Sequence, residues 1–130
     1  MKPVKVYLDQ IPIEQVGGVS RQVLFAPSVT GNRHLKMCMT TLPPGYVSAP
    51  HRHLGEEITF ALSGKAVITV EGIEYSLERN DAFLVPPGII HPIRVIGPDP
   101  YKVLSVYCDD CCLLAHPIQG SGLSDPNNRG

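Results

Sequence analysis

The sequence lacks the features on which nucleic-acid-binding and membrane proteins depend. Its 130 residues carry 11 basic and 12 acidic side chains, a formal net charge of −1, without a Lys/Arg cluster to hold a phosphate backbone. No apolar run approaches the roughly 20 residues of a membrane-spanning helix, and residues 1–10 contain no signal-peptide core. These absences predict a cytoplasmic protein that has neither nucleic acid nor a membrane as its partner.

Segments that could form long helices are also scarce. The 12 glycines and 13 prolines are spread so evenly that the longest stretches free of both are residues 32–42, 73–85 and 101–116. Proline blocks the interior of a helix and glycine weakens it. Since 43% of the residues are apolar, a buried core is still expected. The chain therefore predicts one all-β domain, built as a sandwich or barrel.

Alternating apolar residues and turn residues place the individual strands. Strands are predicted at Lys2–Leu8, Val19–Pro27, Leu35–Leu42, Glu57–Leu62, Lys65–Val70, Ile73–Leu77, Ala82–Val85, Ile90–Ile96 and Tyr101–Tyr107. Residues 11–18, with Pro12 and the Gly17-Gly18 pair, predict a turn region. Residues 117–130 offer little to bury and predict a flexible tail, which leaves residues 1–116 as a single domain.

Three histidines and one glutamate form the most informative group. In an extended chain, His51 and His53 project to the same side, and Glu57 has the same parity. An antiparallel meander can return His91 to their neighbourhood. Imidazole and carboxylate ligands suit first-row transition metals. Taken alone, the His51-x-His53 pair fits two surface histidines equally well.

The group lies within a longer frame of fixed spacings. The residues of that frame are Gly45, His51, His53, Glu57 and Gly64, followed by Pro86, Gly88 and His91. This pattern resembles the two signature motifs of the cupin superfamily, here within residues 45–95. The chain departs from the family pattern at Asn80, where a glycine is usual, and at Val95, where an asparagine is frequent. Asparagine tolerates left-handed backbone, so the turn at Asn80 is expected to survive.

The resemblance has consequences for fold, metal and assembly. It implies the cupin double-stranded β-helix, a jelly-roll-like barrel. It also implies one divalent transition metal per chain (Fe, Mn, Ni or Zn), with His51, His53, Glu57 and His91 as its ligands. By the same resemblance we expect a homodimer in which N-terminal strands pack or exchange, and Val4–Leu8 is a candidate for that strand.

Other residues are candidates for lining a pocket. His34, Lys36 and Cys38 share one parity, and the apolar alternative set is Leu35, Met37 and Met39; only one set can face the barrel interior. A solvent-exposed face suits His34 and Lys36 better than the barrel interior, because lysine is rarely buried. Tyr46 either edges the pocket or packs against the sheet.

The remaining cysteines lie near the end of the last predicted strand. Cys108 either lines the pocket or belongs with Cys111 and Cys112 to a group of reduced thiols, as a cytoplasmic setting predicts. The spacing Cys108-x-x-Cys111 leaves a structural zinc or a redox pair as alternatives.

The expected function is that of a metal-dependent enzyme with a small-molecule substrate that contains oxygen. Three histidines and one carboxylate leave up to two positions of an octahedral ion for substrate or O₂. A dioxygenase is the first choice. The alternatives are an isomerase, cyclase or lyase that uses the metal as a Lewis acid, and a non-catalytic sensor or storage protein that binds a small molecule.

Overall fold

A computed structural model describes residues 1–108. The predicted domain end at residue 116 and the predicted tail at 117–130 lie outside the described residues. Within them, nine strands are joined by turns: β1 (Glu14–Val16), β2 (Val19–Phe25), β3 (Leu35–Leu42), β4 (Glu57–Ser63), β5 (Lys65–Val70), β6 (Ile73–Glu78), β7 (Ala82–Val85), β8 (Ile93–Ile96) and β9 (Tyr101–Cys108). A 3₁₀ turn spans Leu8–Gln10 and a single helical turn, α1, spans Pro27–Thr30. Neither of these short helices is long enough to cross a membrane, and the described residues contain no other helix.

The strands form two antiparallel sheets. The larger sheet has six strands in the order β1-β2-β3-β9-β4-β7, and the smaller has three in the order β6-β5-β8. Strands adjacent in sequence often lie in different sheets, so the chain winds around a shared interior. The all-β, jelly-roll-like barrel expected from the sequence is confirmed.

Strand register determines which side chains enter the barrel. In β4 and β9 the buried positions alternate, so that Glu57 and Thr59 point inward opposite Tyr107 and Ser105. Ser105 pairs in turn with Cys38 on β3, which is also buried. This resolves the open question about β3: the set containing Cys38 faces the interior, whereas Leu35, of the other set, is 54% exposed.

A hydrophobic core closes one end of the barrel. Its buried members come from both sheets: Leu42, Ala61, Ala66, Ile68, Leu77, Val95, Tyr101 and Val103. Along β4 and β9 these residues lie away from the row that contains Glu57 and Tyr107. The barrel is therefore filled at one end, and polar side chains enter at the other.

Left-handed backbone is needed at several turns, and Asn80 and Gly64 are two of the positions that adopt it. Asn80 has a φ of 75°, which confirms that asparagine supports the turn where glycine is usual. Gly64, between β4 and β5, has a φ of 79°. A Cβ on Gly64 would lie 2.1 Å from the Pro100 carbonyl oxygen, so this turn needs both the conformation and the missing side chain.

The N-terminal region differs from the prediction. Residues 1–7 form no strand, so the predicted strand over Lys2–Leu8 is wrong, and Leu8 begins the 3₁₀ turn. The predicted turn region instead contains β1, which pairs with β2 around Gly17-Gly18. A strand needs a neighbouring strand to pair with, and alternation of apolar residues does not reveal whether one exists. In the described part of the N-terminal region, Glu14–Val16 has such a neighbour in β2 and residues 1–7 have none.

Candidate metal centre

Two loops at the open end of the barrel carry the three histidines. His51 and His53 lie between β3 and β4, and His91 lies between β7 and β8. The backbone N–H of His91 donates to the His51 carbonyl at 2.9 Å, and the Gly88 N–H donates to the His53 carbonyl at 2.9 Å. These hydrogen bonds fix the two loops side by side, although His91 follows His53 by 38 residues in the sequence.

The imidazoles of His51, His53 and His91 converge. One ligand atom from each lies within 4.8 Å of the others. The ring centroids of His51 and His91 are 4.3 Å apart, and that of His53 is 5.1 Å from His91 and 5.4 Å from His51. His53 and His91 are buried, whereas His51 is half-buried. A divalent cation that prefers nitrogen ligands could be held here.

Glu57, the first residue of β4, approaches two of these rings. Its Oε1 atom lies 3.2 Å from Nε2 of His53 and 3.2 Å from Nε2 of His91. Burial raises the pKa of the Glu57 carboxyl, but its contacts with His53 and His91 outweigh burial and lower the pKa to about 2. Glu57 is therefore a buried carboxylate that keeps its negative charge among imidazoles.

The hydrogen bonds of two rings leave Nε2 available to a ligand. Nδ1 of His91 lies 2.9 Å from the Ile89 carbonyl, and Nδ1 of His51 lies 3.2 Å from the Ala49 carbonyl. Because a carbonyl oxygen can only accept, Nδ1 is the donor in both rings. This backbone support is typical of histidines that bind metals through the other nitrogen.

Two buried nitrogens test whether a metal fits. Within the described residues, Nε2 of His91 and Nδ1 of His53 have no hydrogen-bond partner of acceptable geometry. Buried polar atoms are almost always satisfied, so these atoms indicate a missing partner. The donor set and these two nitrogens fit a divalent transition metal.

The pKa shifts of the histidines follow from their surroundings. Burial lowers the pKa of His51, and the neighbouring His91 lowers it further. Burial also lowers the pKa of His91, but its contact with the Glu57 carboxylate, together with the Ile89 carbonyl, reverses the effect and raises it. Burial therefore favours the neutral form of the His51 imidazole, whereas the Glu57 carboxylate favours the protonated form of the His91 imidazole.

A cavity of about 290 Å³ extends from the histidines into the barrel. Its apolar wall is formed by Val16, Val19, Leu42, Ile68, Ile93 and Val103. Its polar wall is formed by Arg21, Cys38, Thr40, Tyr46, Ser48, His51, His53, Glu57, Thr59, His91, Tyr101, Ser105 and Tyr107. Of the predicted pocket residues, Cys38 and Tyr46 line this cavity, whereas His34, Lys36 and Cys108 are not among its lining residues.

Tyr107 is a site residue that the sequence analysis missed. Its ring stacks on His53 with centroids 5.0 Å apart and an interplanar angle of 24°. Its hydroxyl lies 3.9 Å from Sγ of Cys38. The signal was present in the odd positions of the last predicted strand, which all point inward, but only the register with β4 shows that position 107 reaches the histidines.

The end of β9 packs against the histidine loop. A Cβ on Gly55 would lie 1.7 Å from the Cys108 carbonyl oxygen, so the loop passes this strand through a position without a side chain. Cys108 is disulfide-bonded and Cys38 is a free cysteine. This departs from the expectation of reduced thiols at Cys108 and agrees with it at Cys38, and the predictions for Cys111 and Cys112 lie outside the described residues.

Known proteins share this architecture. The family model for the cupin domain matches residues 38–107. An uncharacterised protein of Methanocaldococcus jannaschii is 28% identical over 115 residues, 86% of either chain. The crystal structure of a protein described as a predicted oxalate decarboxylase, from Thermotoga maritima, superposes with a TM-score of 0.72 at 24% identity. The match covers 81% of this chain and 98% of that one. A polyketide cyclase from Streptomyces resistomycificus gives 0.71 at 19% identity, covering 82% and 80%.

Proposed function

Since this chain belongs to the cupin family, we propose that it is a metal-dependent enzyme that acts on a small oxygen-containing molecule inside its barrel. One observation carries the proposal: the ligand atoms of His51, His53 and His91 lie within 4.8 Å of one another on the wall of a 290 Å³ cavity. A metal held there would face a space of the size that small ligands occupy.

The proposed ligands are His51, His53 and His91, with Glu57 as the fourth. A bound Fe, Mn, Ni or Zn ion would supply Lewis-acid chemistry and, for the redox-active metals, electron transfer. The chain's contribution is to hold these four groups before a substrate arrives. Carbonyls orient His51 and His91, and the Tyr107 ring orients His53.

The apolar part of the cavity wall would exclude water from the space beside the metal site. Apolar side chains from six strands surround the space beside the imidazoles, including Leu42, Ile68 and Val103. Removing water strengthens the electrostatic interactions of a bound polar group and protects reactive species. This environment supports a dioxygenase as the first candidate for the reaction class.

A second candidate is an isomerase, cyclase or lyase in which the metal acts only as a Lewis acid. The resemblance of the fold to a polyketide cyclase favours keeping this candidate. It needs the same histidines and the same cavity, and it differs from the first in needing neither O₂ nor a redox-active ion.

Reconstitution with single metals tests both candidates. Metal-free protein is loaded with Fe(II), Mn(II), Ni(II) or Zn(II) and screened against diketones, phenolic acids, keto-acids and sugars, with and without oxygen. For a dioxygenase we expect turnover with Fe(II) or another redox-active ion, matched by O₂ consumption, and no turnover with zinc. Anaerobic turnover with zinc would instead establish the Lewis-acid class. Tight ligand binding without turnover for any ion would favour the non-catalytic alternative.

The outer face of the larger sheet supports a homodimer as a further part of the proposal. Register places Leu84, Ile58, Val106 and Met37 in one row and Phe60, Leu104 and Met39 in the next. Ile58 is 51% exposed and Leu84 is 50% exposed. These two rows contain no charged side chain. A second copy of the chain offers the same uncharged, apolar surface and is the partner that we propose.

The variant Ile58→Lys should make the protein monomeric. A lysine at the centre of the proposed interface would meet its counterpart across the two-fold axis, where like charges repel. Ile73→Lys is the matched control, because Ile73 is 57% exposed on β6 in the other sheet. Light scattering after size exclusion should give a dimer for the parent and the control. A monomeric parent, or a dimer that survives Ile58→Lys, would contradict the proposal.

A further inference from the structure

Two buried hydroxyl side chains lie opposite each other inside the barrel. Thr59 on β4 pairs with Ser105 on β9, and both side chains line the cavity. Thr59 is 7% exposed and Ser105 is 8% exposed. Residues directly opposite each other on antiparallel strands hold their Cβ atoms about 4.5–5.5 Å apart. One oxygen atom of a ligand could therefore contact both hydroxyls.

The hydroxyls of Thr59 and Ser105 are not engaged elsewhere. Neither side chain makes a hydrogen bond with another residue in the part of the chain that the structure describes. By contrast, Oγ of Ser48, on the same cavity wall, accepts a hydrogen bond from the Ile93 N–H at 2.9 Å. Both β4 and β9 have a paired strand on each side, so their backbone groups bond within the sheet. Buried hydroxyls are seldom left without a partner, so we expect the contents of the cavity to supply one.

The two hydroxyls lie one row inward from the candidate metal centre. Glu57 and Tyr107 form the adjoining row, and successive rows on one face of a sheet are about 7 Å apart. On the other side Ala61 pairs with Val103, and both are buried apolar residues. A ligand with one oxygen at the histidines therefore meets the two hydroxyls about 7 Å farther into the cavity.

The row of the larger sheet that contains the two hydroxyls is uncharged near neutral pH. Cys38 extends the row on β3 and Phe83 extends it on β7. Burial raises the pKa of the Cys38 thiol, which favours its neutral form. A hydroxyl can both donate and accept a hydrogen bond, so a pair of them suits the oxygen of a neutral hydroxyl or carbonyl group.

We propose that Thr59 and Ser105 form a specificity-determining hydroxyl pair, which binds a hydroxyl or carbonyl oxygen at the inner end of the ligand. The proposal rests on the proposed function in placing the ligand in this cavity, with another of its oxygens at the histidines. The hydroxyl pair binds and orients the ligand and takes no part in making or breaking bonds.

Diols and matching alkanols test the hydroxyl pair. The probes are butane-1,4-diol, pentane-1,5-diol and hexane-1,6-diol, each compared with the alkanol in which a methyl group replaces one hydroxyl. Dissociation constants are measured by NMR titration of metal-free and of zinc-loaded protein, and the shifted amide signals locate the probe. The alkanols are the more apolar probes, so the informative quantity is the change, from parent to variant, in the affinity ratio of diol to alkanol.

The double variant Thr59→Val/Ser105→Ala should lower this ratio. Both substitutions remove a hydroxyl and keep most of the side-chain shape. Two hydrogen bonds between neutral groups correspond to about 5-fold to 100-fold in affinity, and the ratio for the best-fitting diol should fall by that factor. Either substitution alone should give part of the fall. An unchanged ratio in the folded double variant would overturn the proposal.

Thr69→Val is the matched control. Thr69 lies on β5 and is not among the lining residues of the cavity, so its loss of a hydroxyl should leave the ratio unchanged. Thermal unfolding distinguishes a ligand contact from a structural role. Because the Thr59 hydroxyl makes no hydrogen bond with another described residue, Thr59→Val should not lower the unfolding temperature. A lower unfolding temperature with an unchanged ratio would show a structural role and overturn the proposal.

Zinc content separates this proposal from the proposed function. A protein that binds no zinc, but whose ratio falls in the double variant, would support the hydroxyl pair and contradict the metal-dependent enzyme. A protein that binds zinc, but whose ratio is the same in parent and double variant, would do the reverse. Failure of every probe to bind in both metal states would also overturn the hydroxyl pair.

Discussion

Replacing His91 with alanine is expected to abolish metal binding. The substitution removes a buried imidazole whose Nε2 atom lies among the other imidazoles, 3.2 Å from the Glu57 carboxylate, and whose Nδ1 donates to the Ile89 carbonyl. Loss of supporting contacts alone weakens metal sites about 10-fold to 100-fold, so loss of a ligand should cost about 100-fold or more in zinc affinity. Elemental analysis should find about one zinc per parent chain and almost none in the variant.

Thermal unfolding gives a second measurement of the same effect. Zinc at about 1,000 times its Kd stabilises a folded protein by about 4 kcal/mol, and His91→Ala should lose that gain. His34→Ala is the control, because His34 is the described histidine outside the cluster and should leave zinc content unchanged. His51→Ala repeats the test on the half-buried ligand. Unchanged zinc content in both His51→Ala and His91→Ala would refute the proposed ligand set.

Replacing Gly64 with alanine is expected to destabilise the fold severely. At a φ of 79° an L-residue costs about 1–2 kcal/mol. In addition, the new Cβ would lie 2.1 Å from the Pro100 carbonyl oxygen and 2.8 Å from the Tyr101 Cα. The backbone of β9 must move, and Tyr101 is part of the core. A loss of about 4 kcal/mol or more in the free energy of unfolding is expected.

Gly72→Ala isolates the contribution of backbone conformation. Gly72 occupies the next hairpin with a φ of 80°, but a Cβ there meets no atom within 4 Å. This variant should lose only about 1–2 kcal/mol. Urea denaturation of both variants measures the difference. Equal losses would show that the close approach of β9 to Gly64 is absent in solution.

The sequence was most informative where turn residues bound a strand on both sides. The bounds predicted for β3, β5 and β7 agree with the structure, because proline, glycine or a left-handed asparagine ends each hydrogen-bonded run. The prediction was wrong near the N-terminus, where a strand depends on a neighbour that alternation does not reveal. The predicted strand at Ile90–Ile96 was also too long. The observed strand β8 begins at Ile93, because Pro92 has no N–H to donate to a neighbouring strand.

The residues of the candidate site fall into two groups, those that the sequence predicted and those that it did not. His51, His53, Glu57 and His91 could be singled out because motif spacing places them in two segments that the fold joins. Tyr107 and Arg21 could not, since each enters the cavity through pairing between strands distant in sequence. The register between strands depends on how the whole barrel assembles, so it could not be predicted from this sequence alone.

The position of β9 in the middle of the larger sheet has a consequence for biosynthesis. Both β3 and β4 pair with this strand, although β9 is the last of the described strands to leave the ribosome. Translation adds about 5–20 residues per second, so several seconds pass between the synthesis of β3 and that of β9. During this time Met37 and Met39 lie on an edge of β3 that has no paired strand. The hairpin of β5 and β6 needs no such delay. During those seconds the nascent chain can pair β5 with β6, but the larger sheet stays open until β9 is synthesised, and this is the interval in which a chaperone would protect it.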